Sequence, residues 1–171
     1  DDLLEVVIPI GVELASEKDF NRLLEKMLLE AKEFCHADAG ILLLKTEDNR
    51  LEFVIVRNDS LEMTMGGTSG NEVTFSNLQA PLPLYDADGQ PNQNTIATRV
   101  ALTGQSLNIA SADQMEAMWI SGTGIFGKGY RSNSHLAVPL KNSEDVVIGV
   151  MELINSESPQ TGEIVPFDEN L

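Results

Sequence analysis

The chain has little cysteine, few aromatic residues and no long uncharged apolar run. Its single cysteine, Cys35, cannot form an internal disulfide, which favours a reducing, cytoplasmic compartment. No charged-then-apolar leader with a cleavage site begins it, so secretion is not expected. The densest apolar stretch, residues 3–15, contains glutamates and a proline and is too short to span a bilayer. No membrane contact by this domain is therefore expected.

Basic residues are also scarce: 11 Lys and Arg stand against 27 Asp and Glu, for a net charge of -16. Such a surface repels a phosphate backbone, so nucleic acid is a poor partner. The acidic residues leave open a solvated surface or a face for a basic partner. The two histidines, His36 and His135, lie on different predicted elements without converging carboxylates, so no catalytic residue, metal site or cofactor is predicted.

Two helices are predicted at the start of the chain. From Phe20 to Cys35 the apolar residues recur at three- and four-residue spacing, and residues 16–19 supply a start similar to a capping box. On that apolar stripe, Cys35 is interpreted as a packing residue. Residues 3–14 predict a preceding helix that is apolar around much of its circumference and is kinked or started by Pro9. A partner subunit could cover part of it.

Strands follow. Residues 39–45 and 51–57 predict an antiparallel hairpin, and a short third strand is predicted from Glu72. Residues 76–94 contain three prolines in the segment "SNLQAPLPLYDADGQPNQN" and predict a long loop. A short helix is then predicted between Thr95 as its N-cap and Gly104 as its left-handed C-terminal residue.

The rest of the chain predicts a brief strand at 106–110, a helix from Asp113 that buries Met115, Met118 and Trp119, and a hairpin at 134–155. Within that hairpin Pro139 is expected at an edge or a bulge, because it cannot donate to a ladder. The tail, 156–171, reads as a loop and the start of a connecting helix. The whole is one α+β domain, a single sheet with helices on its faces.

The segment "GTGIFGKGYRSNS" at 122–134 is similar to a phosphate-binding loop only in its letters. A phosphate loop needs a strand before it, a helix after it and a hydroxyl residue after the lysine. Here Gly129 follows Lys128 and a strand follows the segment, so neither a phosphate loop nor a dinucleotide fingerprint is predicted. Two interpretations stay open: a flexible surface connection, or a lid over a pocket.

The motif "GYRSNSHLAVPLKNSEDVVIGVMELIN" resembles the closing strands of GAF domains, which are small-molecule sensor modules. The segments "PLPLYDADGQPN", "ATRVALTGQSLNIASA" and "SPQTGEIVPF" resemble the GAF subgroup that precedes HD-GYP phosphohydrolase domains. The resemblance implies a six-stranded antiparallel sheet with the terminal helices on one face and a ligand pocket on the other. It also implies residues 1–15 as a dimerisation helix, 16–155 as the core and a homodimer through the terminal helices.

The same resemblance implies a ligand site with seven residues. Gly40 stands where nucleotide-binding members often have serine, and Lys128 replaces a small hydroxyl residue. Arg57 and Lys128 could hold an anion such as a cyclic nucleotide, and Tyr130 could stack on a flat ring. The implied function is a non-catalytic sensor that relays ligand binding to an output domain; the alternative is a ligand-free dimerisation and relay module. The implied site residues are Gly40, Arg57, Ile96, Ala97, Lys128, Tyr130 and Ser132.

Overall fold

The computed structural model describes residues 6–8, 17–74, 81–122 and 124–168, which form one sheet with helices on both faces. The main path through the sheet runs β1-β7-β8-β2-β3-β4, with β5, β6 and β9 paired at its margins. The described strands are β1 (Val6–Ile8), β2 (Ala37–Lys45), β3 (Arg50–Asn58), β4 (Met63–Gly66), β5 (Leu82–Pro83), β6 (Leu107–Ile109), β7 (His135–Asn142), β8 (Val147–Glu157) and β9 (Ile164–Val165), and the described helices are α1 (Glu17–Phe34), α2 (Ile96–Thr103) and α3 (Ala112–Ala117).

The described strand pairs are antiparallel except at one edge, where β1 runs parallel to β7. The predicted α+β class and the antiparallel sheet are confirmed. Pro139 lies between the part of β7 that pairs with β6 and the part that pairs with β1, one residue before a register shift. Its missing N–H is therefore tolerated at an irregular edge, as predicted.

Helix α1 covers one face of the sheet. Leu24 and Leu28 are fully buried there against strand residues such as Leu42 and Leu153. Gly40 permits the close approach, because a Cβ at that position would lie 2.9 Å from Leu28 Cδ1. Cys35 belongs to the same cluster, and burial raises the pKa of its thiol, which agrees with a packing role.

Helices α2 and α3 cover the other face. Thr95 caps α2, with its side chain accepting from the Thr98 amide, and Gly104 ends it with φ 70°, as predicted. From α2, Ile96, Ala97 and Val100 are fully buried in the cluster on this face. The sheet thus separates two cores.

Several predicted elements are wrong in detail. Val6–Ile8 form strand β1 and not part of a helix, because three consecutive apolar residues, with β-branching at each, pair with the edge of β7. The rest of the predicted first helix lies outside the described residues. The third strand is Met63–Gly66, earlier than predicted, and residues 72–74 are irregular. At the tail, Ile164–Val165 pair with β8 and do not begin a helix.

Trp119 is the clearest departure from the predicted core. It was expected to be buried with Met115 and Met118, but its side chain is 89% exposed. α3 ends at Ala117, and Trp119 takes a positive φ of 56°, which turns the chain out of the helix before the residue can pack. Met115 is buried and Met118 packs against the core as expected.

Candidate functional site

A buried histidine and a buried glutamate lie side by side on the sheet face that α2 covers. Alternation along β7 places His135 with Ala137, and alternation along β8 places Glu152 with Val150 and Ile154, on the face of the α2 cluster. The two side chains are only 1% and 0% exposed. Both strands are central, so the pair sits at the middle of the sheet beneath the helices.

The His135–Glu152 pair leaves two polar atoms without a partner. His135 Nδ1 and Glu152 Oε2 are 2.9 Å apart and hydrogen bonded. His135 Nε2 and Glu152 Oε1 are buried and form no hydrogen bond. They are two of the three such side-chain atoms found in the described part of the chain. Leaving a buried polar atom unpaired costs about 1–3 kcal/mol, so the arrangement is expensive for the protein alone.

The glycine-rich segment reaches the free edge of the His135 ring. A Cβ on Gly122 would lie 3.3 Å from His135 Cε1, 3.9 Å from Nε2 and 4.0 Å from Ser132 Oγ. The amide of Ile96 donates to the carbonyl of Ser121 at 2.9 Å, which ties the first turn of α2 to the residue before Gly122. The Nε2 edge, the Ser132 hydroxyl and the start of α2 therefore meet at one place.

Two of the seven sequence-predicted site residues lie on the opposite face. Gly40 and Arg57 are partners in the β2–β3 register and face α1. The Arg57 guanidinium donates to Glu25 Oε2 at 2.5 Å and to the Met65 carbonyl at 2.7 Å. The structure thus does not bring them together with Ile96 and Ala97, which are buried beneath the other side of the sheet.

The remaining three predicted residues lie in the glycine-rich segment. Lys128 is exposed, Ser132 is half-buried near His135, and Tyr130 is half-buried with its ring edge-to-face against Phe126 at a centroid distance of 5.2 Å. Tyr130 is also hydrogen bonded within the protein. Its hydroxyl donates to Asp38 Oδ2 at 2.7 Å.

Tyr130, Asp38 and Asn155 form a network that anchors the segment to the sheet. Asn155 donates through Nδ2 to the Tyr130 hydroxyl and to the Arg131 carbonyl, and its Oδ1 accepts from the Asn133 amide at 2.7 Å. Burial and the neighbouring Asp38 carboxylate raise the pKa of Tyr130 well above its ordinary value. The network joins the segment to the start of β2 and to β8.

A second charged network lies on the α1 face. Glu25 accepts from the amide and hydroxyl of Thr68 and from Arg57. Burial opposes ionisation of Glu25, but the hydrogen bonds from Thr68 and the neighbouring Arg57 outweigh it and hold the pKa of Glu25 below its ordinary value of 4.5. This network is closed by protein groups.

The family model for the GAF domain matches residues 19–170. The chain belongs to the GAF family. No curated protein matches it significantly.

Solved structures of similar fold agree with a GAF domain. NreA from Staphylococcus aureus, mutated in its nitrate-binding site, is 14% identical with a TM-score of 0.52, over 88% of this chain and 93% of that one. Hypothetical protein SA1058 from S. aureus is 15% identical, TM-score 0.51, over 86% and 100%. The red-light-absorbing state of the red/green cyanobacteriochrome NpR6012g4 is 12% identical, TM-score 0.51, over 91% and 84%. At these identities the likeness shows the fold alone.

Sequence analysis missed both members of the buried pair in this GAF domain. The signal was present: Glu152 interrupts the apolar run of β8, and His135 alternates onto the same face as Ala137. Alternation alone did not show that the two residues meet across the strands. The described residues contain no group of three or more His, Cys, Asp or Glu that could hold a metal ion. Of the described helices, none is long and apolar enough to cross a membrane.

Proposed function

We propose that this GAF domain is a regulatory sensor that binds a small molecule at His135 and Glu152. The observation that carries the proposal is the pair of buried atoms, His135 Nε2 and Glu152 Oε1, that lack hydrogen-bond partners beneath α2. A bound molecule that pairs with them removes the cost of leaving them unsatisfied. NreA, which has a similar fold, has a nitrate-binding site, and this supports the proposal that the present domain binds a small ligand.

Within this proposal Ser132, Ile96 and Ala97 line the site with the buried pair. The Ser132 hydroxyl and the His135 ring both lie within 4.0 Å of a Cβ placed on Gly122, and the start of α2 is tied to Ser121. Lys128 is exposed in the glycine-rich segment and stays a prediction from the family resemblance. Gly40 and Arg57 stay predictions from the family resemblance that no contact with this site supports.

The proposed relay runs through the Tyr130 network. A ligand at His135 orders the segment at 124–134, and Tyr130 transmits that change to Asp38, four residues after the end of α1. The shift of α1 then reaches an attached output domain, of the HD-GYP type that the sequence motifs resemble. A cyclic nucleotide is one candidate ligand from the same resemblance.

The test compares alanine substitutions at two glycines of the glycine-rich segment. Gly122→Ala places a methyl group 3.3 Å from His135 Cε1, whereas Gly129→Ala meets nothing within 4 Å, and neither position has a positive φ. Melting temperatures are measured against cyclic nucleotides, amino acids, amides, amines and small acids. A one-site ligand at a hundredfold excess over its Kd adds about 2.7 kcal/mol.

We expect at least one compound to stabilise the wild type and to bind Gly129→Ala with unchanged affinity. The same compound should bind Gly122→Ala at least about tenfold more weakly, which is a loss of about 1.4 kcal/mol in binding free energy. A panel that stabilises nothing, or a ligand that binds both variants equally, contradicts the proposed site.

We also propose that the domain dimerises through α1, because large apolar side chains of this helix are exposed to solvent. Phe34 is 70% exposed and Leu29 is 42% exposed on this helix. A partner copy that covers them would remove apolar surface from water. Sedimentation of the wild type and of Phe34→Glu tests it: a monomer at high concentration in both cases contradicts a dimer through α1.

A further inference from the structure

We infer that the ligand of the His135–Glu152 site is a small neutral or cationic nitrogen compound that donates an N–H to Glu152 Oε1, and not an anion. The inference rests on the proposed function and names the chemical class that the site takes. It departs from the anionic ligands that the family resemblance suggests.

The first argument comes from the acceptor that the site presents. His135 Nδ1 shares its hydrogen bond with Glu152 Oε2, so a carboxylate at this position leaves Oε1 as a buried acceptor. The hydrogen-bonding role of Nε2 depends on the ring state, because Nε2 is an acceptor in the neutral ring and a donor in the imidazolium. Oε1 remains an acceptor in both states. A ligand must therefore bring a donor to Oε1 in both cases.

The second argument comes from the charges around the pair. An anion beside a buried carboxylate needs a cation to offset the repulsion. Arg57, the one buried arginine of the described residues, lies on the opposite face and is bound to Glu25. Lys141 lies six residues along β7, roughly 20 Å away, beside Gly104 and Asp145.

Three further basic residues, on the glycine-rich segment and on α2, do not supply a buried cation at the pair. Lys128 and Arg131 are exposed, and Arg99 is half-buried with its guanidinium donating to the Gln93 carbonyl at 3.0 Å. The net charge of -16 adds long-range repulsion for an anion. The electrostatics of the described residues thus favour a donor that is neutral or positive.

The third argument concerns shape. The walls beside the pair are aliphatic: Ile41 is the β2 partner of Glu152, and Ile96 and Ala97 belong to the same cluster. Aliphatic walls favour a flat apolar body with one polar edge, which would bring an N–H to Oε1 and a second polar atom to Nε2. Carboxamides, amidines and nucleobases have this pattern.

Matched probes separate charge from shape. Benzamidine and benzoate share a ring, as do nicotinamide and nicotinate, and each pair differs mainly in whether the polar group donates N–H or carries negative charge. Binding is followed by melting temperature and by the ring ¹⁵N signals of His135, with nitrate and cyclic AMP as further anions. We expect benzamidine or nicotinamide to raise the melting temperature and move the His135 Nε2 signal, and the anions to do neither.

Variants assign that binding to the pair. Glu152→Gln should weaken benzamidine at least about tenfold, and Glu116→Gln, an exposed change on α3, should not alter it. If Glu152→Gln does not fold, Gly122→Ala blocks the same ring edge and takes its place. Equal binding by wild type and by both site variants overturns the inference.

The outcomes distinguish the ligand class from the function. A shift of the His135 signal by benzoate, nicotinate, nitrate or cyclic AMP would overturn the ligand class while leaving the proposed sensor function standing. If no compound of either charge moves that signal or the melting temperature, the proposed function fails together with the ligand class.

Discussion

The two faces of the sheet each bury an acid–base pair, and the pairs differ in how completely they are bonded. On the α1 face, Glu25 accepts from Arg57 and Thr68, and Arg57 also donates to the carbonyls of Val56, Met65 and Gly66. On the α2 face, His135 and Glu152 share one hydrogen bond and leave an atom on each side chain without a partner.

Burial therefore does not separate a structural pair from a binding pair, because both are at least nine-tenths buried. Saturation does. A pair with no fully buried polar atom left unpartnered has nothing left to offer a ligand, whereas an incompletely bonded pair costs free energy until something binds. Arg57, expected to hold a ligand, is of the first kind.

The largest effect should come from breaking the saturated pair. Arg57→Met leaves the Glu25 carboxylate buried without its cation, and we expect a loss of about 3–5 kcal/mol in the free energy of unfolding, measured with urea. Arg22→Met removes an exposed pair with Asp19 and should cost at most about 1 kcal/mol. A loss at Arg57 no larger than that at Arg22 would mean that saturation does not make the pair structural.

The next effect concerns the anchor of the glycine-rich segment. Tyr130→Phe removes the donor to Asp38 and the acceptor of Asn155, while the ring contact with Phe126 remains. We expect a loss of about 1–2 kcal/mol in unfolding free energy, together with faster amide exchange at 124–134. Tyr85→Phe, on a side chain that is 44% exposed, serves as the control and should change stability by less than about 0.5 kcal/mol. Unchanged exchange in the segment would contradict the anchoring role of the Tyr130 hydroxyl.

The pH dependence of stability sharpens the comparison further. The pKa of Glu25 is lower in the folded state than its ordinary value of 4.5, so its ionised form stabilises the fold. That contribution is fully present above the unfolded pKa and is lost as pH falls through the folded pKa. The stability difference between wild type and Glu25→Gln, followed by urea unfolding, should be constant near about pH 7 and shrink below about pH 4.5. A difference independent of pH would show that the charge of Glu25 is irrelevant.

Much of the fold followed from periodicity. The stripe of α1, the Thr95 cap, the left-handed Gly104 and the alternation of the last hairpin were all readable in the sequence because each depends on neighbours in the chain. Strand β1 was not, because only the edge of β7, far away in sequence, makes Val6–Ile8 extended.

The site was harder to predict than the fold. Resemblance gave positions along the chain, but a shift of one residue moves a side chain to the opposite face: Gly40 and Arg57 are out of phase with Ile41 and Val56, which face α2. The meeting of His135 with Glu152 depends on the register of β7 against β8, which no local pattern states.

The smallest effect, and the one that separates the two pairs most sharply, is expected at Glu152. Glu152→Gln keeps an oxygen for His135 Nδ1 and removes a buried charge whose second oxygen has no partner. The unfolding free energy in urea should therefore change by less than about 1 kcal/mol, in contrast to Arg57→Met. A loss above about 2 kcal/mol would place this pair with Glu25 and Arg57 as a structural one. A stable variant that no longer binds would show that Glu152 is kept for the ligand, because the fold alone does not need its charge.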